Sequence, residues 1–186
     1  LPPSCFPTLW NNAERYHTNY MADYPGYYLT GDGGYKDDDG YVFVMGRTDD
    51  VINVAGHRFS TGEMEEIISE YHSVAECAVV GVADELRGQI PLALAVLKDS
   101  VSDDDIAVAP EQIVALVRAK IGAVACLKSV LICSRLPKTR SGKILRKSLR
   151  QIADGERIDI PPTIDDPVSI QEITHLLQVS RAGTYQ

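Results

Sequence analysis

The chain has 186 residues, 45% of them hydrophobic and 24% charged, with 26 Asp and Glu against 18 Lys and Arg and a formal net charge of −8. That is ordinary globular material, long enough for one full core or two small ones, and its acidic balance argues against a general nucleic-acid binder, which needs a basic surface to release counterions. No apolar run approaches the roughly 20 residues of a membrane span, no signal-peptide pattern is present, and the four cysteines form no CxxC pair, which argues against structural zinc.

The opening LPPSCFPTLW lacks an initiator Met and reads as the middle of a longer chain. Asn11–Tyr24 has helical character and stops at Pro25-Gly26. Tyr27–Arg47 reads as strand, break, strand, turn, strand, with the turn at Asp37-Asp38-Asp39-Gly40. A short Thr-Asp-Asp link leads to two brief extended pieces around Ala55-Gly56. From there helices and strands alternate. Ser60 or Thr61 is placed to cap a helix with Met64, Ile67, Ile68 and Tyr71 on one face. Val74–Ala83 is a strand apolar almost throughout, hence buried, and Pro91–Leu97 is another. Pro110 suits the first turn of a helix running through Val114, Val117 and Ile121 to a stop at Gly122. Ser129–Cys133 is a third strand, Ser141 is placed to cap a long helix ending near Gly155, and a Pro-rich acidic stretch leads to a short terminal helix. Cys77 and Cys133, each in an apolar run, read as small core residues of a reducing compartment. The fold class is α+β. A β-rich region covers residues 1–48, and a domain with a central sheet flanked by helices covers residues 49–186.

Four places offer chemistry. In Thr30-Gly31-Asp32-Gly33-Gly34, glycines let the backbone approach a ligand and one carboxylate can accept bonds from two adjacent hydroxyls. The plainer reading is a tight turn in which Asp32 bonds its own backbone. Arg47 and Asp49 form either a surface ion pair of little worth or, from their position between the two regions, part of a hinge. Gly56-His57-Arg58 is either a hairpin turn with a solvated arginine or a phosphate grip. The fourth place is Pro137–Ile152, PKTRSGKILRKSLRQI: from Arg135 to Arg150 there are seven Lys or Arg and no Asp or Glu. Arg146, Lys147 and Arg150 fit a solvated helical face. Lys143, beside Gly142 and at the expected helix start, suits an anion.

The ordered set TGD, GR.DD..NVAGHR and PKTRSGK resembles the C-terminal part of the AMP-forming acyl-CoA synthetases, in the adenylate-forming superfamily. The resemblance runs from about Tyr27 to about Leu177, and GRTDDVINVAGHR with GQIPLALAVL is most similar to the propionyl-CoA synthetase branch. It implies a two-step ligase reaction: a short-chain carboxylate, propionate or acetate, attacks Mg-ATP to give an acyl-adenylate, and coenzyme A then displaces AMP. It implies that Asp32 and Arg47 bind the nucleotide, Asp49 is the hinge, and Lys143 is the catalytic lysine of adenylation. Gly56 would line the pantetheine path, with Arg58 and Arg118 on coenzyme A phosphates. By the residues alone, Arg118 reads as a plain surface charge.

Further implications are lysine acetylation at Lys143 by a partner acetyltransferase and its reversal by a deacetylase, and a cytoplasmic setting or a mitochondrial matrix. Residues 1–48 would be the end of a large upstream domain and residues 49–186 the mobile domain. ATP, magnesium and coenzyme A are the implied cofactors. Tyr71-His72 stands where short-chain relatives carry His-Pro, so no metal ligand is assigned, and without the upstream phosphate-binding loop the chain alone should make no adenylate. The rival readings are a free-standing binding or regulatory module, a nucleic-acid binder using Arg135–Arg150, and an adenylating enzyme with a carrier-protein acceptor.

Overall fold

A computed structural model describes residues 3–158 and 160–183; the side chains of Met45, Asp49 and residues 181–183 lie outside the described ones. The chain divides into two compact units, Leu1–Asp49 and Asp50–Gln186. The hinge expectation falls on Asp49, whose side chain is outside the described residues.

In the first unit, helix α1 (Ala13–Tyr20) starts at Asn12, whose side chain accepts the Arg15 N–H. Tyr16 and Tyr20 on this helix meet Phe6 edge-on, and Tyr20 stacks on Tyr28 at 5.1 Å between centroids. Strands β1 (Asp32–Lys36) and β2 (Val42–Arg47) form an antiparallel hairpin around Asp37, whose carboxylate accepts the Tyr41 N–H. Two strands are found here rather than three, because Tyr27–Thr30 pairs with neither. Among its described residues no side chain of this unit is buried.

The second unit holds a five-stranded sheet between two helical layers. Its strands are β3 (Val51–Val54), β4 (His57–Ser60), β5 (Val74–Asp84), β6 (Gly88–Leu97) and β7 (Val130–Ile132). The order β4-β3-β6-β5 is antiparallel, and β7 lies parallel to β6. Helices α2 (Thr61–Ser69) and α3 (Asp103–Ile121) cover one face; α4 (Arg146–Asp154) and α5 (Val168–Gly183) cover the other. Strands buried on both sides carry apolar residues without alternation. Val79, Ala93 and Ala95 therefore pack with Met64, Ile68, Ile113 and Val117, while Ala78, Val80 and Leu94 pack with Leu149, Ile152 and Ile173.

Several boundaries differ from the sequence reading, among them β6, which begins at Gly88, three residues before Pro91. Helix α3 begins seven residues before Pro110, because Ser102 caps it by accepting the Asp105 N–H, and Asp103, Asp104 and Asp105 face its positive end. Pro110 lies inside this helix. Helix α4 begins at Arg146, not at Ser141. The terminal helix α5 runs 16 residues rather than a short turn or two, because Ile170, Ile173 and Leu177 bury its inner face. Removing that contact has a measurable cost. Ile173→Ala should lower the unfolding free energy by about 2–5 kcal/mol in urea titrations of this chain; an unchanged midpoint would mean that α5 is not part of the core.

Candidate functional site

Asp32 is not inside a loop. It opens β1 and sits opposite Arg47 in the β1–β2 register. The backbone bond expected of its carboxylate is supplied instead by Thr30, whose hydroxyl accepts the Asp32 N–H at 3.1 Å. The Gly31 carbonyl accepts both the N–H and the hydroxyl of Thr48, at 2.8 and 3.0 Å. Gly31 itself has φ +77, and a Cβ there would meet the Arg47 guanidinium at 2.7 Å. Arg47 Nη1 donates to the Thr30 carbonyl at 2.8 Å and lies 3.5 Å from Asp32 Oδ1. With both side chains more than 40% exposed, the pair adds little stability. Its effect is to hold an open carboxylate in a fixed frame.

Gly56 completes the tight β3–β4 turn, with Ala55 at φ +50 and Gly56 at φ +91, the paired positive angles of a type I′ turn. The Asn53 side chain accepts the Gly56 N–H, and the Arg87 carbonyl accepts the Ala55 N–H. Nothing lies within 4 Å of the position a Gly56 Cβ would take. Arg58, two residues on, is exposed. Arg118 stands on the last turns of α3 and lines a cleft of about 390 Å³ with Gly122, Cys126 and Lys128. No hydrogen bond or ion pair of the Arg58 or Arg118 side chain exists among the described residues.

Lys143 is not at a helix N-terminus. It follows the three-residue loop of a small hairpin whose arms meet at a Lys138–Ile144 bridge. The Thr139 N–H donates to the Lys143 carbonyl, the Gly142 N–H to the Thr139 carbonyl, and the Leu145 N–H to the Pro137 carbonyl. Gly142 at φ +82 supplies the left-handed residue that such a loop uses. Thr139 Oγ1 also accepts the Lys143 N–H at 3.1 Å. On the outer side, the Arg140 N–H reaches the Thr163 carbonyl and the Asp165 N–H reaches the Lys138 carbonyl. Segment 163–165 thus acts as a strap, and Ile164 between these bonds is buried. The Lys143 side chain is exposed, with no hydrogen bond or ion pair among the described residues.

The basic run is therefore not uniform. Arg135 holds Asp166 and Glu172, and Lys138 holds Glu76. Arg146, expected on a solvated face, instead makes a two-pronged pair with Glu65 of α2, Nε to Oε1 at 3.1 Å and Nη2 to Oε2 at 2.6 Å. Its hydrogen bonds with Glu65 hold the Arg146 proton more firmly than usual, against the opposing effect of burial.

Residues 63–143 match the family of the AMP-binding enzyme C-terminal domain. Over that stretch the chain is similar to such a domain. Over 98% of its length it is 59% identical to a Pseudomonas aeruginosa protein named Uncharacterized protein PA3568, and over 96% it is 47% identical to the mouse acyl-CoA synthetase short-chain family member 3, mitochondrial. It spans only 29% and 26% of these relatives' own lengths. Among solved structures, ATP-bound MatB from Rhodopseudomonas palustris superposes on 83% of the chain with a TM-score of 0.68 and 25% identity, the chain covering 29% of that protein.

Lys143 is the last residue of the matched AMP-binding C-terminal domain, and the strap that ties its hairpin lies beyond the match. Sequence reasoning missed that strap and the Glu65–Arg146 pair, since neither leaves a local pattern. Among the described residues no three His, Cys, Asp or Glu side chains converge on a metal position. No described helix is long and apolar enough to cross a membrane.

Two thiols of the second unit, Cys77 and Cys133, are half-buried. Burial pushes Cys77 and Cys133 up to about 11 from a usual 9.0. Because the folded state keeps these protons while the unfolded chain loses them, their contribution is lost as pH rises from about 9 to 11. At pH 8 both should resist alkylation in the native chain and react promptly in urea. Rapid native labelling, read by mass spectrometry, would contradict their burial.

Proposed function

We propose that this chain serves as the C-terminal part of an AMP-forming acyl-CoA synthetase acting on a short-chain carboxylate, propionate or acetate. The observation that carries this reading is the Lys143 ammonium, exposed and unpaired among the described residues on a hairpin tied from both sides. A held cation facing a reacting carboxylate and phosphate lowers the barrier by stabilising charge without reorganising at the moment of reaction.

In the first step a carboxylate oxygen attacks the α-phosphorus of ATP, and the bond to pyrophosphate breaks. Lys143 binds the two anions as they approach. Asp32 accepts bonds from the ribose hydroxyls in the frame fixed by Arg47, Thr30 and Thr48. Magnesium would arrive on the ATP phosphates, whose oxygens and bound waters supply most of the ligands this ion takes in such reactions. In the second step the coenzyme A sulfur attacks the acyl carbon and AMP leaves. Gly56 leaves room for a thin pantetheine chain, and Arg58 and Arg118 supply cations for nucleotide phosphates. Lys143 has no part in this step, and rotation of the second unit about Asp49 would withdraw it. Residues 1–48 would belong to the large domain. The four free cysteines suit a cytoplasmic setting.

An exposed lysine on a tight loop is also accessible to an acetyltransferase, and acetylation would remove the charge adenylation needs. The first test is ATP–pyrophosphate exchange by the full-length protein with acetate, propionate and butyrate. Exchange should favour propionate and fall by about a hundredfold or more in Lys143→Ala, while thioester formation from supplied propionyl-adenylate persists. Exchange untouched by the substitution would remove Lys143 from the chemistry, and none with any acid would favour a binding module.

A further inference from the structure

Helix α4 has an unfavourable beginning. Arg146 and Lys147 open it, no acidic residue occupies its first turn, and Leu145 gives no side-chain cap. Cations at the positive end of a helix oppose its dipole, so the local sequence does not by itself explain why the helix starts three residues after Lys143. The missing negative charge comes from α2. Glu65 takes the Arg146 guanidinium on both oxygens, and its Oε1 also accepts the Val79 N–H of β5 at 2.9 Å. The pair is 26% and 15% exposed on its two sides. Asp50, the first residue of the second unit, adds to the negative field on Arg146. A core strand, a carboxylate, an arginine and the Lys143 hairpin are thus joined in one chain of contacts.

We propose that Arg146 is a positioning residue for adenylation: its fork on Glu65 fixes the junction between the hairpin and α4, and so the direction from which Lys143 leaves the domain. The inference rests on the reading of Lys143 as the lysine that meets the reacting groups. The strap pins the outer arm of the hairpin through backbone bonds; Arg146 pins the inner arm through a side chain. A planar fork determines angle as well as distance, which a lysine ammonium does not. Displacing a reacting group by about 1 Å can cost a hundredfold in rate, so a loosened junction suffices to blunt the step.

The test uses the full-length protein with Arg146→Lys, Glu65→Gln, the double variant and Lys143→Ala. Arg146→Lys keeps the charge, and Glu65→Gln keeps an acceptor for the Val79 N–H, so both preserve the fold better than alanine would. Each single variant should lower kcat for ATP–pyrophosphate exchange by about tenfold to a hundredfold. The KM for ATP and thioester formation from supplied propionyl-adenylate should stay unchanged. The double variant should be no worse than the poorer single one, because both break the same contact.

Equal losses in both half-reactions, in step with a lowered Tm, would overturn the proposal in favour of a purely structural pair. So would full exchange activity in Arg146→Lys and Glu65→Gln while Lys143→Ala is inactive. If Lys143→Ala itself exchanges normally, the underlying reading fails, and the positioning role falls with it.

Discussion

A lysine ammonium sits on a long flexible stem, so its usefulness depends on how firmly its backbone is held. In this chain the backbone of Lys143 is fixed by a ring of hydrogen bonds within Pro137–Leu145 and by a strap, Thr163–Asp165, that pairs with the outer arm. Much of the second unit's far face follows from that constraint. Ile164 is drawn into the core with Leu149, Ile170 and Ile173, and α5 is packed rather than trailing. Within the Pro-rich acidic segment that leads to α5, Thr163–Asp165 is therefore a structural part of the loop that carries the lysine.

The distribution of charge follows a matching logic. An acidic chain has carboxylates to spare, and several of its cations are engaged: Arg135 with Asp166 and Glu172, Lys138 with Glu76, Arg146 with Glu65, and Lys120 with Glu70. Arg58, Arg118 and Lys143 have no such partners among the described residues. Exposed unpaired cations also occur elsewhere on any soluble surface, so pairing alone assigns no role. It does separate the basic run into residues that build the hairpin and residues that face outward. The same economy serves the edge strand β5, whose outward N–H groups at Val79 and Ala83 are taken by the carboxylates of Glu65 and Asp154. Such capping keeps an edge from pairing with another chain.

What could be read from the sequence was local. The Ser60 cap, the Ala55-Gly56 turn and the doubly buried strands β5 and β6 each follow from a few neighbouring residues, and the structure forms each of them, β6 starting three residues earlier than the pattern puts it. The misplaced boundaries have separate causes. Pro110 and Ser141 are both good helix starters, yet Ser102 with three aspartates outcompetes the first, and long-range pairing of Pro137–Leu145 with itself and with the strap outcompetes the second. The site divides in the same way. The motif residues Asp32, Arg47, Gly56, Arg58 and Lys143 were legible as candidates, whereas Thr48 on the Gly31 carbonyl and Glu65 on Arg146 were not. These partners lie 17 and 81 positions apart, and no short pattern links them.

The central claim is that the Lys143 hairpin is built and held before any substrate arrives. Amide hydrogen exchange on the ligand-free protein tests it directly. The Thr139, Arg140, Leu145 and Asp165 N–H groups, all bonded to backbone carbonyls, should be protected to a degree approaching that of β6, while the loop residue Ser141, whose N–H donates to no described carbonyl, exchanges fast. Exchange of those four bonded groups at unprotected rates would mean that the hairpin is not preformed, and the account of how Lys143 is positioned would be wrong.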